Sequence, residues 1–310
     1  MGNPFVTHAE GDLLEIRVLK YFLMVAREEN ITRAANLLHV TQPTLSRQLM
    51  QLEEELGVKL FHRGKHRILL TEEGLLLRRR AEEIVSLSEK TREDLRQREG
   101  MLSGKISIGS GELQSSRFLA QLIASFREQY PLVQFELYSG DADSIKERIE
   151  RGLLDVGLLT EPVDITKYEF LRLPLQEQWG ALVREDSPLA AQNAVTPEDL
   201  AQVPLLLPQR EIVQDQLAHW FGPYWDRLNV VGSGNLQYNK AMLVRELPGS
   251  CVVTMKLESH FDGLRFLPLS PQLQGRSVLV WKRTQAFSLA ARAFLRHGKA
   301  SLQNLTASKN

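Results

Sequence analysis

Cysteine is nearly missing from this chain: Cys251 is the only one among 310 residues. One thiol excludes an internal disulfide and any metal site built from cysteines, and such sparing use fits a reducing cytoplasm. Excess charge is missing too, with Lys plus Arg at 38 against Asp plus Glu at 38. A nucleic-acid binder of this composition must therefore concentrate its basic residues locally. No apolar run is long enough to span a bilayer. Met1 to Leu14 lacks a basic stretch followed by an apolar core, so no secretion signal is expected and a membrane partner is not. That segment carries Gly2, Pro4 and Gly11 without periodicity and reads as a flexible extension. Also absent are G-x-S-x-G, a P-loop, paired CxxC and H-E-x-x-H, the signatures of common hydrolases, nucleotidases and metalloproteases. The seven histidines are scattered. His62 and His66 form the one close pair, among basic residues that favour phosphate contact over a cation site. Neither an enzyme nor a metal or cofactor is expected.

The length suits two or three compact units. From Arg17, the residues Val18, Tyr21, Phe22 and Val25 recur at helical spacing, up to about Glu29-Asn30. Thr32 reads as the N-cap of a short helix through Leu38 with Ala34 and Ala35 inward, and Thr41 as the cap of a third. Pro43 falls in the first turn of that helix, where its missing N–H costs little. Leu45, Leu49, Leu52 and Leu56 give the helix its apolar face, and Gly57 ends it. Two short helices joined by a tight turn, the second opening with Gln42, Thr44, Ser46, Arg47 and Gln48, form a helix-turn-helix pattern. Gln and Arg read base edges bidentately, while Ser and Thr suit phosphates. No acidic residue occurs between Asn30 and Leu52, where Arg33 and Arg47 lie. A second basic cluster, Lys59, His62, Arg63, Lys65, His66 and Arg67, surrounds Gly64 and reads as a β-hairpin against a phosphate backbone.

The segments Leu19-Lys-Tyr-Phe-Leu-Met-Val-Ala, Asn30-Ile-Thr-Arg-Ala-Ala, Thr41-Gln-Pro-Thr-Leu-Ser-Arg-Gln, Leu52-Glu-Glu-Glu-Leu-Gly, Leu60-Phe-His-Arg and Leu70-Thr-Glu-Glu-Gly closely resemble the N-terminal domain of LysR-type regulators. The match runs without a gap from Leu19 to Gly74. It implies a winged helix-turn-helix in which Gln42, Pro43, Thr44, Ser46 and Arg47 approach the major groove. Thr32 would touch phosphate, and Arg63 and Arg67 would serve the wing. With Arg33, Thr41 and Lys65, these make up the expected DNA-binding set. Thr71 can cap a helix from Glu72 to about Glu99, with an apolar stripe of Leu75, Leu76, Ala81, Ile84, Val85, Leu87 and Leu95. Its Arg78-Arg79-Arg80 triplet reads as a wetted face. In resembling proteins this helix pairs with its copy, which implies a dimer and, by the family, a tetramer. A twofold dimer favours a near-palindromic operator on double-stranded DNA with half-sites about 34 Å apart or a multiple of that. RNA polymerase stays open as a further partner.

Gly100 and Gly104 mark a hinge, and beyond it strands and helices alternate, which predicts α/β organisation with mostly parallel strands. Strands are expected at 105–109, 133–138, 155–159, 181–183, 205–207, 230–232, 251–254, 265–267 and 277–281. Helices are expected at 115–130, around Ile145 and Ile149, and at 212–221, 236–246 and 288–296. The order resembles the two-lobed, periplasmic-binding-protein-like effector domain of the same family. Such a domain holds its ligand where strand ends and helix N-termini converge. The loop with Ser110, Gly111, Glu112, Ser115 and Ser116 offers hydroxyls and amides to a polar ligand. Opposite it stand Pro208, Gln209, Arg210 and Gln237, with Arg210 able to clasp a carboxylate. Ser115 as a plain helix cap and Arg210 as a surface residue are the alternatives. One departure from the family is Val244-Arg-Glu-Leu-Pro-Gly-Ser-Cys, a stretch usually rich in alanine and glycine, which puts the usual pocket geometry in doubt. Trp220, Phe221, Tyr224 and Trp225 read as lobe core or as pocket lining. Cys251 reads as a small buried hydrophobe, with pairing between subunits left open.

The expected fold is an N-terminal all-α winged helix-turn-helix domain (15–71) with a long linker helix (72–103), preceded by the extension 1–14. A C-terminal α/β periplasmic-binding-protein-like domain of two lobes follows over 104–300. Lobe I covers about 104–179 and 268–300, lobe II about 180–267, and a flexible tail 301–310. The expected function is a cytoplasmic, sequence-specific DNA-binding regulator modulated by a small-molecule effector of unknown identity. A catalytic or ligand-binding α/β protein with an accessory DNA-binding domain is the alternative, and a signal peptide or a catalytic dyad in the cleft would have favoured a rival.

Overall fold

The computed structural model describes residues 14–63, 67–95, 102–258, 260–285 and 287–307, and the chain divides into two compact units, Met1–Glu93 and Asp94–Asn310. The expected extension 1–14 lies outside the described residues except for Leu14, and so does Gly100 of the expected hinge.

The first unit contains α1 (Ile16–Glu28), α2 (Ile31–Leu37), α3 (Gln42–Leu56), a hairpin of β1 (Phe61–Arg63) and β2 (Ile68–Leu70), and α4 (Glu72–Leu95). Glu29 turns left-handed at φ 50° to end α1. The cap of α2 is Asn30 rather than Thr32: the Asn30 side chain accepts the Arg33 N–H at 2.9 Å from an extended backbone. A short amide one residue after the turn meets the free N–H groups first, so Thr32 becomes the second residue of the helix. Thr41 caps α3, and its hydroxyl also shares a 2.8 Å hydrogen bond with that of Thr44. Gly57 closes α3 at φ 66°. Leu19, Phe22, Val25, Ala34, Ala35, Leu45, Leu49 and Leu52 bury against one another, whereas Leu56, expected on the inner face, is exposed.

A buried carboxylate fastens α3 to the hairpin. Glu53 accepts the N–H groups of Leu60 at 2.9 Å and Phe61 at 3.3 Å, and Lys59 Nζ lies 3.0 Å away. The hairpin is in turn joined to α4. Thr71 Oγ1 donates to the Lys59 carbonyl at 2.7 Å and accepts the Gly74 N–H at 2.9 Å. A Cβ on Gly74 would stand 2.2 Å from the Leu60 carbonyl oxygen, so only glycine lets the backbones approach this closely. Along α4, Ala81 is buried, but Leu75, Leu76, Ile84 and Leu87 of the apolar stripe face solvent.

The second unit runs β3 (Gly104–Ser110), α5 (Ser116–Gln129), β4 (Val133–Ser139), α6 (Ala142–Glu150), β5 (Val156–Thr160), β6 (Tyr168–Arg184), α7 (Pro197–Leu200), β7 (Leu205–Pro208), α8 (Glu211–Phe221), β8 (Val230–Gly234), α9 (Gln237–Glu246), β9 (Cys251–Met255), β10 (Leu264–Pro268), β11 (Gln274–Lys282) and α10 (Leu289–Ala307). Its strands are ordered β4-β3-β5-β11-β6-β9-β7-β8, with β10 also on β6. The β3/β4, β3/β5, β7/β8 and β7/β9 pairs are parallel. The pairs made by β6 and β11 are antiparallel, so the expectation of mostly parallel strands holds only away from the crossing. The expected strand 181–183 is the end of the 17-residue β6, which pairs with β11 up to Gln178 and with β9 and β10 from Trp179 on. Pro174 sits where the β6/β11 register shifts, the position in a ladder that tolerates a missing N–H. Residues 301–307, expected in a tail, continue α10.

Helices cover both faces. Phe118, Leu122 and Phe126 of α5 and Phe294 of α10 pack on Ile106 and Ile108, while Ile145 and Ile149 of α6 cover the other face of lobe I. In lobe II, α8 buries Val213, Leu217 and Phe221 on one side and α9 buries Ala241 and Val244 on the other.

Burial pushes the Glu53 carboxyl upward, but the Leu60 amide, Lys59 and the Phe61 amide outweigh it and hold the group below its usual 4.5. Its stabilising effect is complete above that value and lost as pH falls through the lower folded value. Glu53→Ala, which orphans two buried amides, should cost about 1–3 kcal/mol for each. Hydrogen exchange at Leu60 and Phe61 checks this: unchanged protection in the variant would remove Glu53 as the fastening.

Candidate functional sites

In the first unit the N-terminal turn of α3 presents Gln42, Pro43, Thr44 and Arg47 to solvent, with Ser46 half-buried beside them. Leu45 and Leu49 lock the opposite face into the core, so the polar turn is held outward. Arg47 has no ion pair among the described residues. Thr41 is exposed but spends its hydroxyl on the cap. Thr32 and Arg33 are exposed in the first turn of α2, Arg33 with Glu28 3.7 Å away. Arg63 is the last residue of β1, opposite Ile68. Arg67 lies 3.8 Å from Glu29 on a largely exposed side chain. Pairs this exposed are weak and yield readily to a phosphate. Lys65 lies outside the described residues.

In the second unit Gly111, Glu112, Pro208, Gln209, Arg210 and Gln237 line one cavity of about 120 Å³ between the lobes. The other three residues expected there do not. Ser110 and Ser116 both direct their hydroxyls to the Gly111 carbonyl, at 2.9 and 3.3 Å. Ser115 is fully buried at the N-cap position of α5, but its hydroxyl makes no cap bond and it does not line the cavity. Its N–H donates to Glu177 at 3.0 Å and its hydroxyl to Ser277 at 2.8 Å. Glu177, on β6, also accepts the Gln114 N–H at 2.9 Å and the Ser277 hydroxyl at 2.7 Å. A helix start that faces a carboxylate needs no hydroxyl cap, which frees Ser115 for the network.

Among the wall residues that the sequence reading missed are Trp179, Lys240, Asp141 and Glu161. Lys240 is the last of the α9 first turn and only 5% exposed. Burial pulls its ammonium down to about 8, against an opposing pull from the Glu112 charge. An interrupted apolar pattern at Lys240 was the available signal, since a lysine on the inward side of a helix is rare.

Three contacts span the cleft among the described residues, the longest between Arg117 of α5 and Glu258 after β9 at 3.8 Å. Arg210, after β7, clasps Asp143 of α6 with Nε at 2.9 Å and Nη2 at 3.3 Å. The arginine expected to hold a ligand carboxylate thus already holds one from the opposite lobe. The Gln237 N–H donates to the Glu112 carboxylate.

Trp220, Phe221, Tyr224 and Trp225 join the lobe II core, and Trp220 Nε1 donates to the Pro271 carbonyl at 2.7 Å. Cys251 is buried in β9, its thiol pushed up to about 12 by burial, which matches a packing role. No residue of the departing stretch 244–251 lines the cavity. Among the described residues no group of His, Cys, Asp and Glu is placed to hold a metal, and no helix is long and apolar enough to cross a membrane.

The comparisons with known proteins divide the chain at the same place. Residues 16–75 match the family model of the bacterial regulatory helix-turn-helix protein, lysR family, and residues 99–303 match the LysR substrate binding domain. The chain is 30% identical over 195 residues to the HTH-type transcriptional regulator YvbU of Bacillus subtilis, covering 63% of this chain and 66% of YvbU. It is 33% identical over 161 residues to BsdA of the same organism, covering 52% of this chain and 55% of BsdA. The aligned stretches thus span less than two thirds of either relative. The crystal structure of CbnR, a LysR family transcriptional regulator, superposes with a TM-score of 0.73 at 21% identity, covering 93% of this chain and 99% of CbnR. At that identity the likeness establishes the fold.

Glu177→Ala should orphan the Gln114 and Ser115 amides at a cost of about 1–3 kcal/mol each, with Glu177→Gln in between. Thermal melting together with hydrogen exchange at the two amides checks it, and a wild-type melt with wild-type protection would show the network to be dispensable.

Proposed function

Because this chain belongs to the LysR family of bacterial transcriptional regulators, we propose that it binds a specific operator and that a small molecule in the cleft of its second unit adjusts that binding. The observation that carries the DNA half is the outward, capped turn of α3 with Gln42, Thr44 and Arg47, which has no ion pair among the described residues. Arg47 and Gln42 read base edges, with Thr44, Pro43 and Ser46 packed around them. Thr32, Arg33 and Thr41 stand at helix starts where phosphates are held, and Arg63, Lys65 and Arg67 meet the backbone from the wing. CbnR has been solved with its target DNA, which supports DNA as the partner here. The protein acts by binding in the cytoplasm rather than by catalysis.

Residues 15–71 form the reader, 72–103 the connection, and 104–300 the effector domain. The exposed Leu75, Leu76, Ile84 and Leu87 on α4 support a dimer through that helix, which would set the spacing of two readers on a near-palindromic site; a tetramer is the further assembly. In the effector domain, Gly111, Pro208, Gln209, Arg210 and Gln237 surround the ligand, with Ser110 and Ser116 behind the Gly111 carbonyl. The Arg210–Asp143 and Gln237–Glu112 contacts join the lobes directly. A ligand that binds one arrangement of the lobes better than another shifts the population between them, and with it the placement of the readers.

A gel-shift titration on the chain's own upstream DNA, at two salt concentrations with random competitor, tests the reading. Saturable, competitor-resistant binding is expected; binding that random DNA abolishes completely would count against a specific operator there. Arg47→Ala should lose roughly 1–3 kcal/mol and blur one base-pair preference, whereas Arg67→Ala should weaken all sequences alike and reduce the salt slope by about 1. Equal losses on every sequence for both would undo the division into base reader and phosphate contact. Leu76→Glu with Ile84→Glu should shift the chain toward monomer in sedimentation, and an unchanged assembly would move the dimer contact off α4.

A further inference from the structure

Two buried hydrogen-bond donors of the cavity wall lack an acceptor among the described residues. Lys240 is almost wholly buried, and no hydrogen bond or ion pair reaches its ammonium among the described residues; its electrostatic partner is the Glu112 charge. Trp179, on the same wall, keeps a buried indole N–H without an acceptor. The N-terminus of α9 opens into the same space behind Leu236, a cap residue with no side-chain acceptor. A buried cation and a buried N–H left unmatched are costly in a finished core. They make sense where a ligand supplies the missing oxygens.

The acids of the wall are already committed. Asp141 caps α6 through the Ser144 N–H at 2.9 Å, and Glu161 accepts from Arg172 at 3.1 Å. That leaves Glu112, whose carboxylate comes from lobe I to the first amide of α9 and the neighbourhood of Lys240 in lobe II. Resting on the reading of this cleft as the effector site, we propose that its ligand is a small carboxylate held by Lys240, the α9 N-terminus and the Trp179 indole, and that Glu112 occupies the anion position until that ligand arrives. Helix N-terminus and ammonium together favour an anion over a neutral or cationic ligand. A cavity of about 120 Å³ accommodates a compact molecule. Since Glu112 and Lys240 belong to different lobes, displacement exchanges a direct bond between the lobes for one through the ligand.

The full chain would be titrated at constant ionic strength with sodium acetate, succinate and benzoate, with their amides, and with 1,4-diaminobutane, following melting temperature and tryptophan fluorescence. At least one carboxylate should raise the melting temperature while its amide does not. Glu112→Gln, which removes the competitor charge, should lower the half-saturating concentration of that carboxylate roughly tenfold. Lys240→Met should lose the response; where that chain no longer melts cooperatively, the Glu112→Gln shift decides alone. Equal responses to acid and amide, a response to the diamine only, or an unmoved midpoint in Glu112→Gln would overturn the carboxylate and leave the cleft as an effector site. No response to any of these compounds in wild type or Glu112→Gln overturns the carboxylate as well. If operator binding is also insensitive to a broad metabolite mixture, the effector reading falls with it.

Discussion

The Glu177 carboxylate is buried with no cation against it among the described residues, and its oxygens are matched by two amides at the start of α5 and a hydroxyl on β11. A charge removed from water without a counterion is expensive, and it is tolerated where fixed dipoles replace the lost hydration. These dipoles come from two places, the loop that carries Gly111 and Glu112 and the strand β11, while the carboxylate itself belongs to β6, which passes between the lobes. Removing the charge would therefore loosen the cleft at its base rather than at its rim. The direct contacts across the cleft, by contrast, are made by side chains that can let go: Arg210 with Asp143, Glu112 with α9, and Arg117 with Glu258. A fixed base with releasable rims is what an adjustable cleft requires.

Glu53 does comparable work in the first unit, where it ties the reading helix to the wing through the Leu60 and Phe61 amides. Here a lysine, Lys59, stands at the solvent side of the carboxylate. The balanced total charge of the chain hides these local differences. Asn30 to Leu52 holds no acid, while the cleft of the second unit gathers four carboxylates around a lysine and an arginine.

Sequence patterns carried the helices of the first unit well, because apolar spacing, caps and stop signals agreed at Thr41, Pro43, Leu45, Leu49 and Gly57. They failed where two local signals competed, as with Asn30 and Thr32, both good caps two residues apart. The full extent of β6 was hidden because Pro174 and its polar neighbours break the alternation, and a bulge rather than a loop absorbs them. Gly111, Glu112, Arg210 and Gln237 were legible as cleft residues from their place after strands and before helices. What those residues touch was not. Asp143 reaches Arg210 across 67 positions, and Glu112 reaches Gln237 across 125; no local pattern encodes such pairings. Lys240 left only an interrupted apolar pattern and Glu177 no local mark at all, since burial of a lone charge is set by tertiary packing.

The close approach of Gly74 to the Leu60 carbonyl, with Thr71 bonded on both sides of it, also bears on how such chains can be recombined. The wing and the opening turn of α4 share one set of backbone contacts, so they are a single inheritable piece. A chimaera that grafts a foreign reader at the end of β2 cuts through this junction and must bring a matching threonine and glycine with it. A crossover placed further along α4, beyond its first turns, keeps the junction whole and exchanges recognition as a cassette.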